Sequence, residues 1–169
     1  MSRYKAKQLA KEAALTADEL RRRLSYDQET GIFRWLLPNS NRLKAGDIAG
    51  SISYGYLTIR INGLLYRCHR LAWLYVYGVW PSGQLDHKNL NRSDNRINNL
   101  RVATNAQNII NSPARNQSGL KGVWKLKDGR FKTMCAGKHL GSFRTAEEAS
   151  AAYLAYTQNR YGKEFARTC

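Results

Sequence analysis

Acid is scarce in this chain. Twelve Asp and Glu stand against 28 Lys and Arg in 169 residues, a formal net charge of +16. That imbalance points to a polyanion, because each phosphate neutralised by Lys or Arg releases condensed counterions. Long apolar runs are also missing. None approaches the roughly 20 residues that cross a bilayer. The basic opening MSRYKAKQLAKEAAL has no apolar stretch behind it of the kind a signal peptide carries. The expectation is an intracellular protein with no membrane contact and a nucleic-acid partner. Cysteine is sparse. Cys68, Cys135 and Cys169 form no C-x-x-C pair, which argues against a zinc knuckle and against a disulfide framework. Two small core residues and a free terminal thiol are expected. The hydrophobic share, 43%, is enough for packed cores and excludes a disordered chain. The length allows one medium domain or two small ones.

Local signals divide the chain in two. Residues 1–15 are basic and Ala-rich. TADELRRRLSYD predicts a short helix, with Thr16 as cap and Glu19 completing a capping box. YDQETGIFRWL reads as a turn at Gly31 into a strand with Phe33 and Trp35 alternating. In YLTIRINGLLYRCHRL, Asn62-Gly63 supplies the turn of a tight hairpin, where both positions want positive φ. HRLAWLYVYG follows as a buried helix stopped by Gly78. Next come LDH, a polar loop, a strand LRVAT and a helix NAQNIINS that Thr104 can cap and Pro113 ends.

Residues 113–120 read as a linker. Beyond it KGVWKL, GRFKTMCA and KHLGSF alternate as three short strands, with turns at Asp128-Gly129 and Gly137. TAEEASAAYLAYTQNRYG is a helix with Thr145 and Glu148 as its capping box and Gly162 as its stop. Residues 113–169 carry 11 Lys and Arg against 4 Asp and Glu, net +7, which leaves +9 for the rest. Either part can meet a polyanion.

The chemistry concentrates in LDHKNLNRSDNRINNL, Leu85 to Leu100. His87 ends a strand, Asn99 closes the polar loop and Asn108 sits early on the following helix. Asp86, His87 and Asn108 are residue types suited to phosphodiester hydrolysis. An aspartate carboxylate and an asparagine carbonyl suit a hard cation such as Mg²⁺. A neutral imidazole can take a proton from water. Asn99 can bond the loop backbone or His87 itself. The competing reading is that Asp-His is chance and that the asparagines serve turns.

YDQETGIFRW, YRCHRLAW, GVWPSGQLDHKN and DNRINNLRVATNAQN together resemble the HNH endonucleases of the phage and intron homing branch, over about Thr16 to Asn111. The resemblance implies an α+β protein with a ββα-metal nuclease module at 16–112. It further implies cleavage of double-stranded DNA with one divalent cation, in the cytoplasm of a bacterial or phage-infected host. Carried over, Asp86 and Asn108 hold the metal, His87 is the general base and Asn99 orients it. Asparagine at 108, where many relatives have histidine, favours Mg²⁺ or Mn²⁺. His69 resembles the family's HRL histidine. It either caps or packs beneath the site, or it touches phosphate. Arg96 and Arg101 lie near the scissile phosphate or are solvated loop arginines. Arg67 and Arg70 grip backbone phosphates or form an exposed face. A single site per chain implies a monomer that nicks.

The segment from Lys121 to Tyr156 resembles the plant Apetala/ethylene-response-factor DNA-binding domain, most of all in LGSFRTAEEASAAY. That resemblance implies a domain at 121–169 in which a three-stranded sheet packed on one helix enters a DNA groove. Its contact face would hold Lys121, Trp124, Leu126, Arg130, Lys132, Met134 and His139. Trp124, Leu126 and Ala136 stand where that family usually has arginine, so binding mode transfers and base preference does not. The rival to an enzyme is a DNA-binding regulator built on an inactive HNH scaffold.

Overall fold

A computed structural model describes residues 3–167, so Cys169 lies outside the described residues. The architecture is α+β, and the described residues form five α-helices and small antiparallel sheets. The chain forms two compact units that divide between Val102 and Ala103.

The first unit opens with α1 (Arg3–Ala13) and α2 (Ala17–Arg23). Thr16 caps α2 by accepting from the Glu19 amide at 3.2 Å. Only half of the expected capping box forms, because the Glu19 carboxylate is drawn to Arg22 and Arg23 one turn on. The helix also ends earlier than its sequence implies. Leu24–Tyr26 turn extended as β1 and pair antiparallel with β2 (Phe33–Trp35). The alternation of both strands sends Leu24, Tyr26, Phe33 and Trp35 into the core.

A meander of β3 (Ser51–Ser53), β4 (Tyr56–Ile61) and β5 (Leu64–Arg67) follows. Asn62 and Gly63 take φ of 49° and 78° at its second turn, the geometry that the Asn-Gly pair predicts. The short β3, with Ile52 exposed, carries no clear alternation and is not predicted. Helix α3 (Cys68–Tyr77) ends at Gly78 in left-handed conformation and buries Leu71, Ala72 and Leu74. Cys68 is buried beside them, and burial pushes its thiol up to about 12. An ion pair from Arg70 to Glu12, 2.5 Å, ties α3 to α1, so Arg70 is spent inside the fold rather than presented to a phosphate. Strand β6 (Gln84–His87) pairs with β7 (Leu100–Ala103), and a 3₁₀ turn (Ile97–Asn99) leads into β7.

The second unit begins with α4 (Asn105–Asn111), where Thr104 and Gln107 form a full capping box. Strands β8 (Val123–Lys125), β9 (Phe131–Cys135) and β10 (Lys138–Phe143) make one antiparallel sheet with β9 central. Helix α5 (Ala146–Tyr161) packs on it. Its Thr145–Glu148 capping box forms as expected. Ala149 and Tyr153 of the helix and Val123, Thr133 and Cys135 of the sheet are all buried. Gly122 has φ of 69°, and a Cβ there would stand 2.4 Å from the Tyr153 ring, so only glycine lets α5 close on the sheet. Pro113–Leu120 is not a loose connection. Asn116 Nδ2 donates to the Leu120 and Val123 carbonyls at 2.7 and 2.6 Å. No described helix is long and apolar enough to cross a membrane.

Candidate nuclease site

Strand β6 ends on His87, with Asp86 before it, and both side chains are buried. His87 Nε2 lies 3.4 Å from Asn95 Oδ1. Asn95 Nδ2 donates to the Ser93 carbonyl, which turns Oδ1 toward the imidazole. An amide oxygen only accepts, so this pairing requires the proton on Nε2 and places the basic lone pair on Nδ1. Burial lowers the pKa of His87 below its ordinary range, against the opposing pull of Asn95 and Asp86. The ring is therefore neutral at pH 7.

Asn95 is the residue that the sequence reading missed. It is 1% exposed and fixed from behind. Tyr26 Oη donates to its carbonyl at 2.7 Å. Gly31, φ 74°, lies so close that a Cβ would stand 2.5 Å from the Arg96 amide nitrogen and 2.6 Å from the Asn95 carbonyl carbon. The β1–β2 hairpin thus buttresses the loop that holds His87. Tyr26 and Gly31 were both in view in YDQETGIFRW, but nothing local shows that a turn 64 residues upstream would press on Asn95.

Asn99 bonds the loop and not the imidazole. Its Nδ2 donates to Asn89 Oδ1 at 2.9 Å and to the Asp94 carbonyl at 2.8 Å, and its Oδ1 accepts from the Asn89 amide. Asn89 and Asn91 cap successive turns through their side chains. Arg96 grips Asp94 through Nε and Nη2 at 2.8 and 2.6 Å. That guanidinium foremost, then the Arg96 amide and the Asn89 side chain, hold Asp94 down at about 2 against the opposing effect of burial. Most of the loop's asparagines do serve turns, and those turns form the frame around His87.

Arg101 on β7 donates from Nε to Asp86 Oδ2 at 2.8 Å, and its Nη2 is also 2.8 Å from that oxygen. Both groups are largely buried, so Arg101 is a partner of the carboxylate and not a solvated loop residue.

His69, at the start of α3, is 4% exposed. Its ring meets that of His87 edge-on, with centroids 5.0 Å apart. Its Nδ1 has no hydrogen-bond partner among the described residues. Burial foremost, then His87, Arg67 and Arg70, keep its pKa well below the ordinary range. Of the two expectations for His69, the geometry fits packing against the site. Tyr56 completes this aromatic corner, 5.4 Å from His69 and 6.3 Å from His87 between centroids.

Asp86, His87, Asn99 and Arg101, together with Asn95 and His69, therefore share one neighbourhood in the first unit. Asn108 is half-buried on α4 of the second unit, with its backbone in the helix ladder. No group of three or more His, Cys, Asp or Glu suited to a metal occurs among the described residues. The Asp86 carboxylate is an oxygen donor of the kind that a hard cation takes.

In the second unit, strand register puts Trp124, Lys132, Met134, His139 and Ser142 on the sheet face opposite α5. Trp124 is 41% exposed, and the Lys132 ammonium lies 6.0 Å from its ring centroid. Arg130 is exposed and paired with Asp128 at 2.9 Å. His139 is exposed. Lys121 is not on that face. It is 9% exposed, and its Nζ donates to the Ile109, Ile110 and Ser112 carbonyls at the C-terminal end of α4. Orphan carbonyls at a helix end attract a cation, and proximity to α4 was not legible from Lys121's strand-like surroundings.

Residues 66–109 match the family model described as HNH endonuclease. No curated protein and no solved structure matches the chain.

Proposed function

From the match of residues 66–109 to the HNH endonucleases as premise, we propose that this chain is a metal-dependent endonuclease. It hydrolyses phosphodiester bonds of double-stranded DNA, and it nicks as a monomer with the site preference of a homing enzyme. The observation that carries the reading is the state of His87: neutral, buried and held through Nε2 by Asn95, with its basic nitrogen on Nδ1.

His87 Nδ1 takes a proton from a water molecule as the water oxygen bonds to phosphorus. The bond from phosphorus to the 3′ oxygen breaks, and that oxygen leaves with the electron pair and is protonated from solvent. The products are a 5′ phosphate and a 3′ hydroxyl. Asp86 and Asn108 would hold one Mg²⁺ or Mn²⁺, which when bound supplies charge neutralisation at the phosphate and the leaving oxygen. Asn99 stiffens the loop, Asn95 sets the ring of His87, and Arg101 aligns the Asp86 carboxylate. The β8–β10 sheet, through Trp124, Lys132 and His139 with Arg130 at its edge, lies against the duplex as an Apetala-like module. This gives the +16 charge a partner.

One observation favours the rival regulator: the Asp86 carboxylate is engaged by Arg101, which competes with a cation for it. Plasmid relaxation with Mg²⁺, with EDTA, and with Asp86→Ala separates the two. The nuclease converts supercoiled to nicked circles only with metal and only with Asp86. Binding without metal-dependent nicking by the wild type would leave the regulator.

A further inference from the structure

Two arginines in the first unit are gathered where no acid answers them. Arg67 Cζ lies 4.4 Å from the Tyr56 ring centroid, and Arg92 Cζ lies 4.9 Å from the same centroid. They come from separate places, the end of β5 and the polar loop, and Tyr56 opens β4. Both guanidinium groups are exposed. Neither has an ion-pair partner among the described residues, whereas Arg70, Arg96, Arg101 and Arg130 all do. Bringing two like charges onto one ring is unfavourable unless an anion joins them. The ring offers each a face or edge that does not consume its N–H donors. The same Tyr56 ring touches His69 and stands 6.3 Å from His87. An anion held by these arginines would therefore lie beside the proposed base. The ring of His69 packs in the same corner, and its buried Nδ1 has no hydrogen-bond partner among the described residues.

We propose that Arg67 and Arg92, assembled on the Tyr56 ring, form a clamp for a DNA backbone phosphate that flanks the reactive one. The proposal rests on the nuclease reading above. A phosphate offers several acceptor oxygens to two forks of N–H donors, which fixes the strand's position along the site without touching the reacting atoms. The clamp is separate from the catalytic set: removing it changes how the strand is held, while His87 and Asp86 remain.

The test compares R67Q/R92Q with R34Q/R60Q, which removes the same formal charge elsewhere in the first unit. Duplex binding is measured without Mg²⁺ across a salt series, and plasmid nicking with Mg²⁺ across substrate concentration. The clamp predicts that R67Q/R92Q lowers the slope of log affinity against log salt by about 1 to 2 relative to the control pair. It also predicts that KM rises about tenfold with kcat held, because the lost contact is equal in ground and transition states. Y56L should lower the salt slope as R67Q/R92Q does, because it removes the ring on which both guanidinium groups sit. Circular dichroism verifies each fold. Equal slopes and equal KM for R67Q/R92Q and R34Q/R60Q would overturn the clamp while wild-type nicking left the nuclease reading intact. A wild type that binds but does not nick would refute the nuclease alone, and the salt slopes would still decide the clamp. A wild type that fails to bind duplex DNA overturns both.

Discussion

The value of His87 depends on what its two nitrogens do. Nε2 faces an atom that only accepts, and burial disfavours the imidazolium, so the ring presents a lone pair on Nδ1. His87→Ala should lower nicking by about 10²–10⁴, the usual worth of a positioned base, and leave duplex affinity unchanged. Asn95→Ala should fall between wild type and His87→Ala in kcat, again with unchanged affinity, because it removes the ring's orientation and not its nitrogen. Plasmid nicking beside fluorescence anisotropy reads both. Full activity in Asn95→Ala would mean that the pair at 3.4 Å has no catalytic consequence. Asp86, His87 and Asn99 are legible in the sequence because the chain places them at fixed spacing about one loop. Asn95 is hidden among four other asparagines and aspartates between Asp86 and Asn99. Only the three-dimensional approach of Tyr26 and Gly31 distinguishes it.

At the scale of elements, two local devices set the frame. The first is the Asp94 clasp in the loop after β6. Its folded carboxyl titrates at about 2, below the ordinary 3.8. The unfolded group binds a proton first as pH falls, so this stabilisation is complete above 3.8 and is lost as pH drops through about 2. Protection of the Asn89, Arg96 and Asn99 amides, relative to intrinsic exchange at the same pH, should therefore fall over that window, and Asp94→Asn should show reduced protection at every pH. The second device is Lys121 at the end of α4. Lys121→Met leaves three carbonyls without their cation and should cost the second unit about 1–3 kcal/mol in urea unfolding. Duplex affinity per folded molecule should be unaltered. Weaker binding at unaltered stability would return Lys121 to the contact face.

Turn chemistry made the β4–β5 hairpin and the α5 capping box readable in advance, since Asn62-Gly63 and Thr145/Glu148 act within a few residues. The β1 and β3 strands were not readable. Leu24–Tyr26 continue a helical pattern, and β3 is three residues long with a mostly exposed face. Tertiary pairing with β2 and β4 decides both.

For the whole molecule, the notable fact is where the strand-strand-helix order is divided. Strand β6, and β7 up to Val102, end the first unit, and α4 belongs to the second. Helix α4 is seven residues long, and a helix that short does not hold in water by propensity alone. Its support lies in the second unit. Lys121 takes its terminal carbonyls, Gln107 Nε2 donates to the Tyr161 carbonyl at 3.2 Å, and Arg167 Nε donates to Asn111 Oδ1 at 2.5 Å. Ile110 joins Cys135, Tyr153 and Phe165 in one apolar cluster. The linker-like composition of Pro113–Leu120 conceals this dependence, because polar residues with Pro and Gly read as a boundary whatever packs on either side. Truncation after Ser112 removes every one of these partners and a net charge of +7. The first unit keeps its own core of Leu20, Phe33, Ile59, Ile61, Leu71 and Leu74, and should remain folded by near-ultraviolet dichroism. The amides of Asn105–Asn111 should exchange freely, and Asn108 would no longer be presented on a helix. If Asp86 and Asn108 jointly hold the cation, nicking should then vanish at any enzyme or Mg²⁺ concentration, while weakened, salt-sensitive duplex binding persists through Arg67 and Arg92. A truncated chain with α4 unprotected that still nicks at the wild-type rate would show that Asn108 is dispensable and that the cation is held within the first unit alone.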